Sequence, residues 1–277
     1  MPDDDFAYDK AGHSAFHSTN YVFSQLIPYI GNKRKLLPLI VRALSATGQT
    51  GAGRTFLDLF TGSGVVSRMA KQCGYRVVAS DWEPYAEAIN RCYIETNIPP
   101  RFAQLGGYEN AIAALNNLPP CEDWITRHLC PRDDERFDVA TERMFYTRAN
   151  GLRLDAMREE IQAWVTNGAI NETETVCLLA PLLYTACYVS NTSGVFKGFH
   201  NGWGGQTGTA LYRIRARAEL SPAVFHDNGE PNTVLRGEAG DVAAQLRESG
   251  TVADVAYPAV KRDVCARPAV QPAPLRE

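Results

Sequence analysis

An α/β fold built on a parallel sheet and interrupted by a mainly helical insertion is predicted by three features of the sequence. A short apolar run, "TFLDLF", is followed by a glycine turn, "TGSG", then by "VVSRMAKQCG" and by a second apolar run ending on a carboxylate, "YRVVASD". That order of strand, turn, helix and strand is a βαβ unit, which implies parallel strands with a right-handed crossover. The alternation is lost from about Pro99, where "NIPPRF" and "NLPPCEDW" break the chain with paired prolines, and it returns near residue 223. The expected boundaries are an α/β part over 20–98, an insertion over 99–222, a return to the sheet over 223–257 and a tail of different character over 258–277.

Ahead of the βαβ unit, "YIGNKRKLLPLIVRAL" sets three cations beside Leu36, Leu37, Ile40, Val41 and Leu44 at helical spacing, a loop opening into a helix. Gly74 closes the helix of the βαβ unit in the usual C-terminal position, and "EPYAEAINRCYIETN" reads as a second helix. Within the insertion, "NGLRLDAMREEIQAWVTNG" carries Leu154, Met157, Ile161, Trp164 and Val165 on one face and ends at Gly168. "NETETVCLLAPLLYTACYVSN" begins with Asn171 as N-cap and Glu174 three positions later, a capping-box spacing. Pro181 should bend or restart that helix. "TSGVFKGFHNGWGGQTG" is too irregular for a helix and too long for a tight turn. "ALYRIRARAEL" reads equally as extended, with Arg213, Arg215 and Arg217 on one side, or as helical with the three spread round. "PAVFHDNG", "NTVLRG", "DVAAQLRESG" and "VADVAY" read as strand, strand, helix and strand. Beyond them Pro258, Pro268, Pro272 and Pro274 sit among Ala, Arg and Val, and prolines cannot extend a central strand because each removes a ladder donor.

The composition, 45% hydrophobic and 21% charged over 277 residues, is that of an ordinary globular protein. No apolar run is long enough to span a bilayer, and the acidic start "MPDDDFAYDKAGHS" lacks the pattern of a signal peptide, so a cytoplasmic location is expected. The seven cysteines form no CxxC pair, and their odd number argues against a complete disulfide framework, so they are expected to be reduced and mostly structural, with no metal. A net charge of -3 denies the chain an overall basic field, although a local basic face would be enough for phosphate contacts.

The strongest local signal is "TFLDLFTGSGVVS". Gly62 and Gly64 let the backbone turn tightly beside a ligand, and the helix N-terminus behind them offers unpaired N–H groups. Asp81 ends the next strand, where a carboxylate can accept from both ribose hydroxyls. Together they describe a nucleoside cofactor site. A nicotinamide dinucleotide would call for a third glycine where Ser67 stands. Asp58 and Phe60, an acid and an aromatic just before the turn, suit S-adenosylmethionine better, with an ammonium to pair and an adenosine face to pack.

"YIGNKRKLLPLI", "FLDLFTGSGVVS" and "SDWEPYAEAIN" occur in the order and spacing of the adenine-specific DNA methyltransferases of the D12 class, which include the DNA adenine methylases, and the sequence resembles that family from about Tyr21 to Tyr257. The resemblance implies a Rossmann-like S-adenosylmethionine-dependent sheet with an inserted target-recognition domain. It also implies methyl transfer to the N6 amine of adenine in double-stranded DNA, a monomer, and a restriction endonuclease as a possible partner. It assigns Tyr29 and Lys33 to the methionine end of the cofactor, Phe60, Gly62 and Gly64 to the cofactor loop, Asp81 to the ribose and Asp241 to the neighbourhood of the adenine. The residues themselves leave Lys33 open as part of a solvated helix start and Asp241 open as a helix cap. DNA contact is expected from "YVSNTSGVFKGFHNGWGG": Asn191, Thr192, Ser193, Lys197 and His200 as hydrogen-bonding groups, and Phe196, Phe199 and Trp203 as stacking or wedging rings. The alternative is an aromatic loop packed on its own domain.

One family element is missing. After the strand "VADVAY" the family reads Asp-Pro-Pro-Tyr, whose carboxylate and inter-proline carbonyl accept from the adenine amine while the tyrosine packs on the flipped base. Here Pro258, Ala259 and Val260 follow, and no such motif stands downstream, so no catalytic acceptor is assigned. A truncated or frameshifted product, with the sheet incomplete at its C-terminal side, is the expectation. A non-catalytic module that binds S-adenosylmethionine or DNA and an unrelated nucleotide-dependent enzyme are the competing readings.

Overall fold

The computed structural model describes residues 20–48, 51–193 and 198–257. Helix α1 (Asn20–Phe23) and a 3-10 turn over Arg34–Leu36 lead into α2 (Leu37–Ala46), which buries Leu37 and leaves Leu36 exposed. Strand β1 (Thr55–Asp58), helix α3 (Val65–Gln72) and strand β2 (Arg76–Asp81) form the expected βαβ unit. Helix α4 (Pro84–Asn90) follows and widens into a π-helical turn over Arg91–Glu95, where one continuous helix was expected. Thr96 closes that turn, its hydroxyl and N–H both donating to the Arg91 carbonyl.

Between residues 99 and 222 the described residues form helices and irregular segments and no strand: α5 (Tyr108–Asn116), α6 (Trp124–Leu129), α7 (Arg148–Thr166), α8 (Glu172–Tyr188) and α9 (Leu211–Ile214). Helix α7 buries Leu154, Met157, Ile161 and Trp164, the 3-4 spaced face, while Val165 falls off that face and is exposed. Asn171 and Glu174 form the expected capping box, and α8 continues through Pro181 without restarting. The Arg-rich segment resolves as the single helical turn α9 followed by irregular chain.

The return to the sheet holds one strand fewer than expected. "PAVFHDNG" is irregular and is tied down from both ends: Ala223 N–H donates to the Tyr108 hydroxyl at 2.9 Å, and the Asn228 side-chain amide donates to the Tyr75 carbonyl at 2.7 Å. Strand β3 (Thr233–Arg236), helix α10 (Ala239–Glu248) and strand β4 (Val255–Tyr257) then complete a parallel sheet in the order β3-β2-β1-β4. β4 pairs with β1 from Phe56 opposite Val255 to Asp58 opposite Tyr257. Among the described residues β4 has a strand on one side only. Because β2 and β3 lie on one side of β1 and β4 on the other, the strand order reverses at β1, and open α/β sheets bind ligands at that switch point. The tail from Pro258 lies outside the described residues.

Two apolar cores support this frame. One joins the sheet to α2 and α3 through Leu37, Phe56, Val65, Met69, Tyr75 and Val77, each removed from water to within a few per cent. Full burial of a large apolar side chain stabilises by about 1.5 to 3 kcal/mol. The other fills the helical region with Phe102, Tyr108, Leu154, Trp164 and Leu178, and it also takes in Ile27, Ile89, Cys92 and Tyr93 from the α/β part. The helical region is thereby packed onto the back of the site.

Candidate functional site

The chain leaves β1 at Asp58 and turns through Thr61, Gly62, Ser63 and Gly64 into α3. Gly62 and Gly64 have φ of 53° and 80°, the left-handed region that glycine enters without strain. Both also face close neighbours: a Cβ on Gly62 would lie 2.8 Å from the Tyr29 ring, and one on Gly64 would lie 2.2 Å from Asn90 Oδ1. Tyr29 is thus laid across the turn, as expected of a residue lining the site. Its hydroxyl is held above its ordinary pKa by burial and by the nearby Asp81 and Tyr85.

Asp81 crosses from the end of β2 to the same turn. Its Oδ2 accepts from Gly62 N–H at 2.8 Å and its Oδ1 from Glu83 N–H at 3.1 Å, which leaves each oxygen a further lone pair. The next loop joins them, since Gly237 N–H donates to the Asp81 carbonyl at 3.2 Å. The C-terminal ends of β1, β2 and β3 therefore meet around Asp81, the turn after β1 at its carboxylate and the loop after β3 at its backbone carbonyl. Asp241 stands exposed in the first turn of α10, behind that loop; the N-cap is Glu238, so Asp241 is not the cap. Phe60 is 53% exposed at the mouth of the turn. Lys33 Nζ donates to the Gly31 carbonyl at 2.6 Å, within its own loop.

Asp58 is placed differently from the expectation. It is buried, its Oδ2 accepting from the Ser67 hydroxyl at 2.7 Å and its Oδ1 from Phe60 N–H at 3.2 Å. Burial, opposed by those two bonds and reinforced by Asp81, pushes its carboxyl up to about 6. Both of its oxygens are engaged within the turn and with Ser67, which shapes the turn. The same bond explains Ser67 in the place of a third glycine: its hydroxyl is the donor that Asp58 needs.

Four contributors had no place in the sequence reading. Asn32 donates to the Ser63 hydroxyl at 3.1 Å and Asn90 to the Gly62 carbonyl at 3.2 Å, pinning the turn from both sides. Trp82, 64% exposed, and Tyr85, 38% exposed, flank Asp81. The signal for these last two was in "SDWEPY", aromatics directly after the acidic strand end. Asn90 had none, since only the fold brings it to the turn.

The expected DNA face is a cleft of about 1000 Å³ between Leu26 and Pro28, the end of α8 and the glycine-rich loop, with Tyr184, Tyr188, Ser193, His200 and Gln206 among its lining. A smaller hollow bounded by Tyr29, Asn32 and Arg34 shares Leu26, Pro28 and Ser193 with it, so the cleft continues to Tyr29 and Asn32, which adjoin the glycine turn. Ser193 is exposed and His200 partly exposed there, as a contact residue requires. Asn191 is not such a residue. It is fully buried, its amide donating to the carbonyls of Met144, His200 and Gly202 and accepting from Gly204 N–H, so it organises the loop. Thr192 lines the cleft but is buried, its hydroxyl bonded to that of Ser190. Phe199 packs edge-on against Phe145, and Trp203 packs against Phe137 and donates to the Asp134 carbonyl, so these two rings serve their own domain. Arg213 fastens the same segment by donating to the carbonyls of Tyr188, Ser190 and Thr192. Phe196 and Lys197 lie outside the described residues.

Among the described residues no group of His, Cys, Asp and Glu is arranged to hold a metal ion, and no helix is long and apolar enough to cross a membrane. The described cysteines are free thiols.

The family model for D12 class N6 adenine-specific DNA methyltransferases matches residues 29–241. The chain is 29% identical over 229 residues to the type II methyltransferase M.NlaIII of Neisseria lactamica, covering 79% of this chain and 60% of that one. It is 26% identical to the modification methylase StsI of Streptococcus sanguinis, over 83% of this chain and 33% of that one. With the modification methylase LlaI of Lactococcus lactis subsp. lactis it shares 28% identity over 78% of this chain and 34% of that one. The chain thus spans between a third and three fifths of these relatives. No solved structure is a significant match.

Proposed function

This chain belongs to the D12 class of N6 adenine-specific DNA methyltransferases, and from that premise we propose that it binds S-adenosylmethionine at the Gly62–Gly64 turn and duplex DNA along the adjoining cleft. The observation that carries the reading is the single carboxylate of Asp81 at the switch point, bonded to Gly62 N–H and flanked by exposed Trp82 and Phe60. Free acceptor capacity on Asp81 suits ribose hydroxyls, and the two rings offer faces for an adenine. Tyr29, Lys33 and the first turn of α3 are assigned to the methionine end, a reading supported by the contact of Tyr29 with Gly62. Asp241 is kept as a residue of the adenine end. Ser193, His200 and Lys197 are the proposed DNA contacts, and Thr192 a wall of the cleft.

The cofactor supplies the methyl group. What the protein must add is an acceptor for the adenine amine, whose nitrogen gains positive charge as the methyl arrives. What supports a reading of where that acceptor belongs is the end of β4, where Tyr257 is level with Asp58 of β1. In the sequence Pro258 follows Tyr257, and it carries no side-chain acceptor. The chain as it stands is therefore read as binding cofactor and DNA without transferring the methyl group. A restriction endonuclease partner and a cytoplasmic location are proposed with the family role.

Incubation with duplex DNA and methyl-labelled S-adenosylmethionine tests this. The combined variant Pro258→Asp, Ala259→Pro, Val260→Pro, Lys261→Tyr is expected to label adenine N6, and the unaltered chain is expected not to. Adenine labelling by the unaltered chain would contradict the assignment.

A further inference from the structure

Arg68 lies on the buried side of α3 with none of its surface exposed. Its N–H donates to the Gly64 carbonyl at 2.8 Å, one turn into the helix. The guanidinium sits 3.6 Å over the Tyr93 ring and gives one hydrogen bond, from Nη1 to the Ser24 carbonyl at 2.7 Å. Nε and Nη2 meet no acceptor among the described residues, and no carboxylate there pairs with the side chain. The next cation on the helix, Lys71, is also buried, with Nζ directed to the carbonyls of Tyr93 and Thr96. Buried charges are ordinarily paired, because taking a cation out of water is costly.

The position of the charge gives it a use. Arg68 Nε lies 3.5 Å from the place a Cβ on Gly64 would take, directly behind the turn. Asn90 Oδ1, the nearest polar atom to that place at 2.2 Å, is likewise buried and without a partner among the described residues. The turn is thus backed by the helix N-terminus and, on its packed side, by a cation that no described carboxylate pairs with, two contributions of one sign. We infer that Arg68 is the buried counter-charge for the carboxylate of the amino-acid end of the ligand bound at the Gly62–Gly64 turn. It acts through the turn without touching the ligand, as a positioning and specificity-determining residue. This rests on the reading of the turn as an S-adenosylmethionine site.

Contacts to Ser24 and Tyr93 also give Arg68 a share in holding the segment that carries Tyr29, and the test separates charge from scaffold. Calorimetry with S-adenosylmethionine and with 5′-methylthioadenosine, which lacks the amino-acid end, is run on the intact chain, Arg68→Gln and Arg68→Lys. Arg68→Gln is expected to weaken S-adenosylmethionine about tenfold or more and methylthioadenosine less than about twofold, while Arg68→Lys keeps the preference to within about threefold. Equal losses for both ligands would overturn the inference and leave a scaffold role. Should Arg68→Gln fail to fold, the unaltered chain decides. Its preference for S-adenosylmethionine over the methyl ester of its carboxylate should hold from about 50 to about 500 mM salt, since a buried charge is screened little. A preference that collapses with salt would assign the discrimination to exposed Lys33. If methylthioadenosine and S-adenosylmethionine both fail to bind the unaltered chain, the site reading itself falls, and the inference with it.

Discussion

The glycine turn and the glycine-rich loop contain the same kinds of residue and use them in opposite ways. At the turn, Gly62 N–H is taken by Asp81 and Gly64 N–H by the Thr61 carbonyl, while Asp81 keeps lone pairs to spare, and further supporting bonds come from Asn32, Asn90 and Ser67. In the loop, the most polar residue, Asn191, is itself the support, and Ser193 and His200 are left to face the cleft. Polar identity alone therefore does not mark a contact residue. What marks it is whether the local backbone already consumes its hydrogen-bonding capacity.

The contrast can be broken most sharply at Gly64. Gly64→Ala combines a φ of 80° with a Cβ placed 2.2 Å from Asn90 Oδ1. A destabilisation of about 4 kcal/mol in urea melts, together with loss of cofactor binding, is expected. In the loop, Asn191→Ala strips a buried amide of four bonds and should cost about 3 kcal/mol. Gel shifts should then show DNA affinity lowered alike for every sequence tested, because an organiser and not a base contact has gone. A sequence-dependent loss with unchanged stability would restore Asn191 as a contact.

Asp58 sharpens the turn side through pH. Its carboxyl is raised from 3.8 to about 6 by burial, so the folded chain binds that proton more tightly than the unfolded chain does. The associated stability is present below the unfolded value and is lost as pH rises through about 6, an effect of about 2 to 3 kcal/mol. Asp58→Asn should flatten that fall between pH 4 and about 6 in urea melts taken across the range. The smallest effect belongs to Ser193→Ala: stability within about 0.5 kcal/mol of the unaltered chain and DNA affinity lowered about threefold. No change in DNA affinity would remove Ser193 from the interface.

The βαβ unit and the glycine turn were legible because their determinants are local: an apolar run, two glycines and a strand-ending carboxylate within some 25 residues of chain. The inward turn of Asp58 was not, since it depends on the depth at which Ser67 meets it. The π-helical turn after α4 and the role of Asn90 depend on packing between distant segments and carry no periodic signal. "PAVFHDNG" misled for the same reason. Its alternation resembles a strand, but the Tyr108 hydroxyl takes up the Ala223 N–H and the Asn228 side chain is anchored on the Tyr75 carbonyl, both partners far away in sequence. The strand "VADVAY" was legible as a strand, its last three residues forming β4 with Tyr257 level with Asp58 of β1.

The most direct test of the account is a calorimetric titration of the unaltered chain and of Asp81→Asn with S-adenosylmethionine and, separately, with NAD. The account predicts saturable S-adenosylmethionine binding in the unaltered chain, weakened about tenfold by Asp81→Asn, and no NAD binding in either. NAD binding in place of S-adenosylmethionine, or an Asp81→Asn variant that binds S-adenosylmethionine as tightly as the unaltered chain, would contradict it.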